Sequence, residues 1–341
     1  MNKINNSTYC INKPINDKIL EEMKNYSEIS FGDRYNYAIN NLPSTIKKIT
    51  FGYNFDKPLD NLPSELEHLV LGEDYNFPLD NLPTNLKSLT LGKCYYKHML
   101  DNLPAGLQYL NLGWYYNQKV DNLYVSTPEG VKKELKHLVF SNEFNQPVDN
   151  LPPSLETIIF GNHFNQPVDN LPDGVHSITF GDCFNQSVDY LPTNLQNLTF
   201  GYMFNQSVDN LPTNLQSLTF GEEFDQPVNN LPGSNPLGVN ISTHLGVQTD
   251  STHLGVKKGL LNLKFGIYYN QKVNNLPSTL KNLTFGYYFN QPLYNIPSSL
   301  ENLTLGSRLP NLPPSLETLI LGKKFNQSLD HLPSSLTIKK A

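Results

Sequence analysis

LPTNLQSLTFGEEFDQPVNN, Leu211 to Asn230, is one copy of a phrase that fills most of the chain. With Leu211 as position 1, further copies begin at Leu42, Leu62, Leu82, Leu103, Leu123, Leu151, Leu171, Leu191, Leu231, Leu276, Ile296 and Leu312. Most are 20 residues long; the copy at Leu82 has one extra residue, those at Leu123 and Leu231 carry insertions of 8 and 25, and that at Ile296 is 4 short. A half copy, Ile29 to Asn41, precedes the series, and a fragment from Leu332 ends it. A fixed period outranks any domain count taken from the 341-residue length.

Within the phrase, positions 8 and 10 are apolar, here Leu218 and Phe220. A spacing of two puts both on one face of a strand. Position 9 points to the other face and is mostly β-branched, as at Thr50, Val70, Thr90, Val139, Ile159, Thr179 and Thr199. That column predicts a strand over positions 6 to 10. Position 11 is Gly in every full copy except one, where it is Ser141. Since Gly tolerates positive φ, a sharp bend is expected there. The aromatic at position 14 and the aliphatic at 18 return to the core, with Leu at 1 and the residue at 5. One copy therefore carries six apolar positions and one short strand, too little to enclose a core. Stacked copies can, each covering its neighbour's open edge.

The polar columns fit the same stacking. Position 20 is nearly always Asn, and position 15 usually is, as at Asn165, Asn205 and Asn290. An amide donates and accepts, so a stack of them can satisfy backbone groups at the corners from inside. The expectation is an interior amide column.

Composition narrows the function. The net charge is −6, with only two arginines, Arg34 and Arg308, so phosphate gripping and nucleic-acid binding are not expected. No apolar run approaches the roughly 18 residues of a membrane span, so no membrane partner is expected either. The start, MNKINNSTYC, lacks a signal-peptide core. Cys10, Cys94 and Cys183 have no metal-ligand spacing and fit a reducing compartment. Glycosylation sequons at Asn185 and Asn205 fall on the position assigned to the interior, which also argues against secretion. A cytoplasmic location is the expectation.

Leu-x-x-Leu-x-Phe-Gly, Leu215 to Gly221, is similar to the leucine-rich repeat pattern. The whole unit, with FNQPVDNLP at Phe164 to Pro172, resembles the FNIP repeat of social amoebae and giant amoebal viruses, over about residues 29–338. The resemblance implies a curved parallel-β solenoid. Members often carry an N-terminal F-box, which links a bound target to a ubiquitin ligase. Here residues 1–28 are too few for a typical F-box. They are expected to form a capping segment, with a short helix presenting Ile19, Leu20, Met23 and Tyr26.

Few residues carry chemistry. Asp recurs at position 19, as at Asp149, Asp169, Asp189 and Asp209. A carboxylate pair for glycan cleavage needs two unlike environments, whereas these share one. They are read as solvated or turn-capping. His244 and His253 sit within a duplicated STHLGV in the long insertion, without metal-ligand spacing. No catalytic residue, cofactor or metal site is assigned.

Two surfaces remain. The strand face alternates Lys47, Glu67 and Lys87, then Lys136 and Glu156, then Lys281 and Glu301, as a ladder of opposite charges. Past the bend, positions 12 and 13 vary most between copies and hold Trp114, Tyr115, Tyr202, Met203, Ile267, Tyr268, Tyr287 and Tyr288. Clustered exposed aromatics mark a contact surface. The expectation is an elongated, leucine-rich-repeat-like parallel β solenoid, residues 29–341, with insertions near 124–134 and 233–258. About fourteen levels at ~4.8 Å give a body ~65 Å long. Its expected function is to bind an unknown protein without catalysis, as a target-recruiting module related to ubiquitin-ligase adaptors. The alternatives are a carbohydrate-active solenoid enzyme and an ice-binding solenoid, the latter suggested by Ser177-Thr179, Asn197-Thr199 and Ser217-Thr219.

Overall fold

The computed structural model describes residues 5–93, 95–123, 134–234, 259–306, 312–322, 325, 328–329 and 332–340. Both insertions fall outside these residues, except for residues 134, 233 and 234. So do Cys94, His244 and His253. The chain divides into two units, Met1–Gly181 and Asp182–Ala341.

Unit 1 contains β1 (Asn5–Ile11), α1 (Asp17–Met23), β2 (Tyr26–Phe31), β3 (Lys48–Thr50), β4 (His68–Val70), β5 (Ser88–Thr90), β6 (Tyr109–Asn111), β7 (His137–Val139), β8 (Thr157–Ile159) and β9 (Ser177–Thr179). Unit 2 contains β10 (Asn197–Thr199), β11 (Ser217–Thr219), β12 (Asn262–Lys264), β13 (Asn282–Thr284), β14 (Asn302–Leu305), β15 (Thr318–Leu321) and β16 (Thr337–Lys340). Within each unit every strand pairs in parallel with the next in sequence. Register follows the repeat, with Ile49 opposite Leu69 and Leu69 opposite Leu89. Each unit is thus a parallel β solenoid with one short strand per coil.

The strands are shorter than positions 6 to 10, but ladder hydrogen bonds reach those limits. The Glu67 N–H donates to the Lys47 carbonyl at 2.8 Å, and the Phe51 N–H to the Val70 carbonyl at 2.9 Å. Two turns close each coil. The Leu66 N–H donates to the Pro63 carbonyl, and the Phe55 N–H to the Gly52 carbonyl.

The N-terminal segment contributes more than a helix. Its β1 adds a strand to the sheet, with Tyr9 opposite Ile29 and Ile11 opposite Phe31. Nothing in NNSTYCI carries the repeat phrase, so sequence reading did not foresee this strand. In α1 the Asn16 side chain accepts from the Ile19 N–H at 3.0 Å, capping the helix start. Met23 is fully buried.

All six apolar positions face inward. In the coil of Leu211 they are Leu211, Leu215, Leu218, Phe220, Phe224 and Val228, none more than 7% exposed. Rings at positions 10 and 14 stack within a coil and between coils. Phe220 lies 3.7 Å from Phe224, and Phe204 lies 6.0 Å from Phe224, each pair 7° from parallel. Burying one such ring is worth about 1.5–3 kcal/mol, and a good aromatic pair adds about 0.5–1.5 kcal/mol. Both gains need a neighbouring coil, so coils form only as a stack.

Two expectations are corrected. Among the described position-11 glycines, only Gly113 has positive φ, at 71°. The others are Gly because the coils approach too closely for a side chain. A Cβ on Gly221 would lie 1.7 Å from the Gly201 carbonyl oxygen, and one on Gly266 would lie 1.8 Å from that of Gly221. Ser141, the exception, follows Gly113, and its hydroxyl donates to the Tyr116 carbonyl at 2.6 Å.

The amide column is not interior. Asn165, Asn185 and Asn205 are half-buried, and Asn145 is exposed. The bonding is nevertheless of the expected kind. Asn145 Oδ1 accepts from the Asn165 N–H at 2.9 Å, and Asn185 Oδ1 from the Asn205 N–H at 2.9 Å. A phenylalanine at position 14 turns inward, which leaves the next residue at the coil edge. The sequons at Asn185 and Asn205 are therefore not enclosed in the interior, and burial there does not speak against secretion. No described helix is long and apolar enough to cross a membrane.

Candidate partner-binding surfaces

The inward ring at position 14 fixes the direction of the two residues before it. Positions 12 and 13 project from the coil between the Gly contact and the buried ring. In unit 1 this places Trp114, 41% exposed, and the half-buried Tyr115 beside Tyr95 of the preceding coil. Tyr95 and Tyr115 stack at 4.1 Å and 15°. Lys93 Nζ lies 5.4 Å from the Trp114 ring centre, a cation–π contact. Glu73 stands 3.9 Å from Lys93, and its hydrogen bond to Tyr53 raises the phenol pKa there.

Two clefts flank the stacked tyrosines. One, about 520 Å³, is lined by Tyr53, Glu73, Lys93, Tyr95, Lys97 and Tyr115, among others. The other, about 470 Å³, shares Tyr95, Lys97 and Tyr115 and adds Asn117, Gln118 and Glu143. Sequence reading singled out Trp114 and Tyr115 but missed Tyr53 and Tyr95. Tyr53 stands at position 12 and signals as clearly as Trp114. Tyr95 is displaced by the extra residue of its coil, which hides the column.

In unit 2 the column crosses four consecutive coils. Backbone bonds order them: the Glu223 N–H donates to Tyr202, the Tyr268 N–H to Glu222 and the Tyr288 N–H to Ile267. Tyr202, Met203, Ile267, Tyr268, Tyr287 and Tyr288 are all 37–54% exposed. Tyr268 and Tyr288 stack at 5.5 Å and 9°, and Tyr287 meets Tyr288 edge-on at 4.9 Å. These rings lie outside the core stack, which is complete without them. Partial desolvation raises the Tyr202 phenol pKa, and the Glu223 and Glu222 carboxylates add to the shift.

The strand face satisfies itself where charges alternate. Glu67 lies 2.6 Å from both Lys47 and Lys87, and hydrogen bonds from the two ammonium groups hold its carboxyl at about 2. Lys136 meets Glu156 at 3.0 Å, and Lys281 meets Glu301 at 2.7 Å. In unit 2 the amides of Asn262, Asn282 and Asn302 join at 2.6 and 2.7 Å. Lys264 interrupts the pattern at positions 7 and 9 on which the ice-binding alternative relied, and the charged Lys281 and Glu301 stand beside it at position 6.

The position-19 carboxylates also have a bonding role. Asp149, Asp189 and Asp209 each accept from the position-20 amide of the next coil, Asn170, Asn210 and Asn230, at 3.0–3.1 Å. These side chains are exposed and bind coil to coil at one edge. No group of three His, Cys, Asp or Glu able to hold a metal occurs among the described residues.

Parallel coils of about 20 residues, one short strand each and a buried aromatic ladder define a leucine-rich-repeat-like β solenoid. The FNIP Repeat pattern matches residues 35–74, 55–94, 133–163, 164–203, 184–221 and 269–308, more than half of the chain. The chain belongs to the FNIP repeat family. Among solved structures it is similar to CroV588, a giant-virus protein described as a novel circular LRR structure. The two share 31% identity over 99% of this chain and 54% of CroV588, with a TM-score of 0.73. This chain thus spans about half the length of CroV588. YopM from Yersinia enterocolitica WA-314 matches at 16% identity and a TM-score of 0.41, over 93% of this chain and 81% of YopM. No curated protein matches the chain.

Proposed function

We propose that this chain is a non-catalytic, cytoplasmic protein-interaction module (of the host cytoplasm if viral) whose contact surface is the position 12 and 13 column. One observation carries the reading. The scaffold positions repeat from coil to coil, while these two change and leave their aromatics 37–54% exposed in unit 2. Exposed, grouped aromatics supply contact area at low entropic cost and are enriched at interfaces. Membership of a leucine-rich-repeat-like family supports the same reading. The target-recruiting role beside ubiquitin ligation enters through that family resemblance.

The test is capture from amoebal cytosol on the immobilised chain, beside a bait carrying Tyr268→Ser, Tyr287→Ser and Tyr288→Ser. A protein retained by the first bait and lost from the second is the expected result. Ligase subunits among the retained proteins would support the recruiting role. Identical retention by both baits would remove this column as the contact surface.

A further inference from the structure

The unit 2 surface has a partner chemistry written into its charge. Its four coils set one acidic pair among aromatic residues: Tyr202, then Glu222 and Glu223, then Ile267 and Tyr268, then Tyr287 and Tyr288. Asp182 precedes them, with its carboxylate 3.4 Å from the Tyr202 nitrogen. No described residue at positions 12 and 13 in unit 2 is basic. Glu222 and Glu223 have no ion pair among the described residues, in contrast to Glu67, Glu156 and Glu301 on the strand face. Lys264, the nearest described cation in sequence, stands on the outward face of β12.

Unit 1 shows what such a surface does when a cation is present. There the same positions also combine exposed rings with carboxylates, but Lys93 lies over the Trp114 ring and beside Glu73. Among the described residues, these positions hold a cation in unit 1, Lys93, and none in unit 2. Tyrosine faces attract cations through their quadrupoles, and carboxylates beside them add a charge-assisted hydrogen bond. A guanidinium suits both contacts better than an ammonium, because it stacks on rings and forks onto carboxylates.

Resting on the interaction reading above, we propose that Tyr202, Glu222, Glu223, Tyr268 and Tyr288 dock an arginine-rich, cationic segment of a partner protein. Arginines spaced along an extended peptide would place guanidinium groups against successive rings, with Glu222 and Glu223 between them.

The experiment uses the full chain and three fluorescent peptides, of alternating Arg and Gly, Glu and Gly, and Ser and Gly, with anisotropy as the readout. Saturable binding of the basic peptide alone is expected, weakening as salt is added. Tyr268→Ser with Tyr288→Ser, and separately the isosteric Glu222→Gln with Glu223→Gln, are each expected to weaken it about tenfold. A control pair in unit 1, Asp60→Asn with Glu65→Gln, removes equal charge and is expected to leave affinity within about twofold. Thermal melts establish that each variant is folded.

Equal weakening by the control pair would reduce the binding to net charge and overturn the proposal. So would binding of the acidic or neutral peptide with similar affinity, or no saturable binding of the basic one. If the basic peptide fails while capture from cytosol still depends on Tyr268, Tyr287 and Tyr288, this inference falls and the interaction reading stands.

Discussion

Asn205 Oδ1 accepts from the backbone N–H of Asp225 at 3.0 Å and from the side-chain amide of Gln226 at 3.1 Å, both one coil further on. One oxygen thus joins two coils at their edge. In the next coil the carboxylate of Asp225 serves the same purpose, accepting from the Asn270 N–H and the Gln271 amide, each at 2.9 Å. The column therefore requires an acceptor rather than an amide.

Asn205→Ala is expected to destabilise the protein by about 1–3 kcal/mol, because it strands a backbone donor. Asn205→Asp keeps the acceptor and is expected to lose much less. Denaturant midpoints at constant slope measure both. Equal loss in the two variants would show that the amide donor matters after all.

Gly221→Ala is expected to cost several kcal/mol or abolish folding, since the new Cβ would lie 1.7 Å from the Gly201 carbonyl oxygen. Gly106→Ala meets nothing nearer than 3.7 Å and is expected to be tolerated. A melting temperature for Gly221→Ala equal to that of the parent would contradict the close-approach account of position 11.

Tyr269 is fully buried, and its hydroxyl has no hydrogen-bond partner among the described residues. Burial pushes its pKa well up, and Asp225 adds to the shift. Phe occupies this position in the preceding coil at Phe224 and in the next at Phe289. Tyr269→Phe removes an uncompensated polar group and is expected to stabilise by about 1–2 kcal/mol. A lower melting temperature would mean that the hydroxyl is satisfied in solution.

Glu67 is held at about 2 by Lys47 and Lys87, below its ordinary 4.5. A lowered carboxyl pKa stabilises the folded state fully above the unfolded value and loses that effect as pH falls through the folded one. The contribution of Glu67 should therefore be complete above about pH 4.5 and fade towards pH 2. Both lysines are more than half exposed, so screening keeps the effect near or below about 1 kcal/mol. The melting-temperature gap between the parent and Glu67→Gln should be small at neutral pH, close as pH falls to 2 and shrink in high salt. A gap that persists at pH 2 would place its origin in packing.

Unit 2's aromatic column was legible from Tyr202, Ile267, Tyr268, Tyr287 and Tyr288 alone, since their pairs fall at one phase of the repeat. The carboxylates that give the column its chemical character, Glu222 and Glu223, were in plain view at the same phase. Sequence analysis did not single them out, and their lack of an ion pair among the described residues is visible only in the structure.

The sequence by itself determined the period, the strand position and the six inward residues of each coil. Leu218, Phe220, Phe224 and Val228 are apolar at spacings that only one chain path can bury together. What it left open lies between coils. That Gly221 must be Gly for the sake of the Gly201 carbonyl, that Asn205 bonds at the edge rather than inside, and that Asp209 receives Asn230 are relations between residues about one repeat apart. They depend on how far each coil slides and turns over its neighbour. A periodic sequence reports its phase along the coil but not that offset, which is decided when the Phe ladder and the parallel hydrogen bonds are packed together.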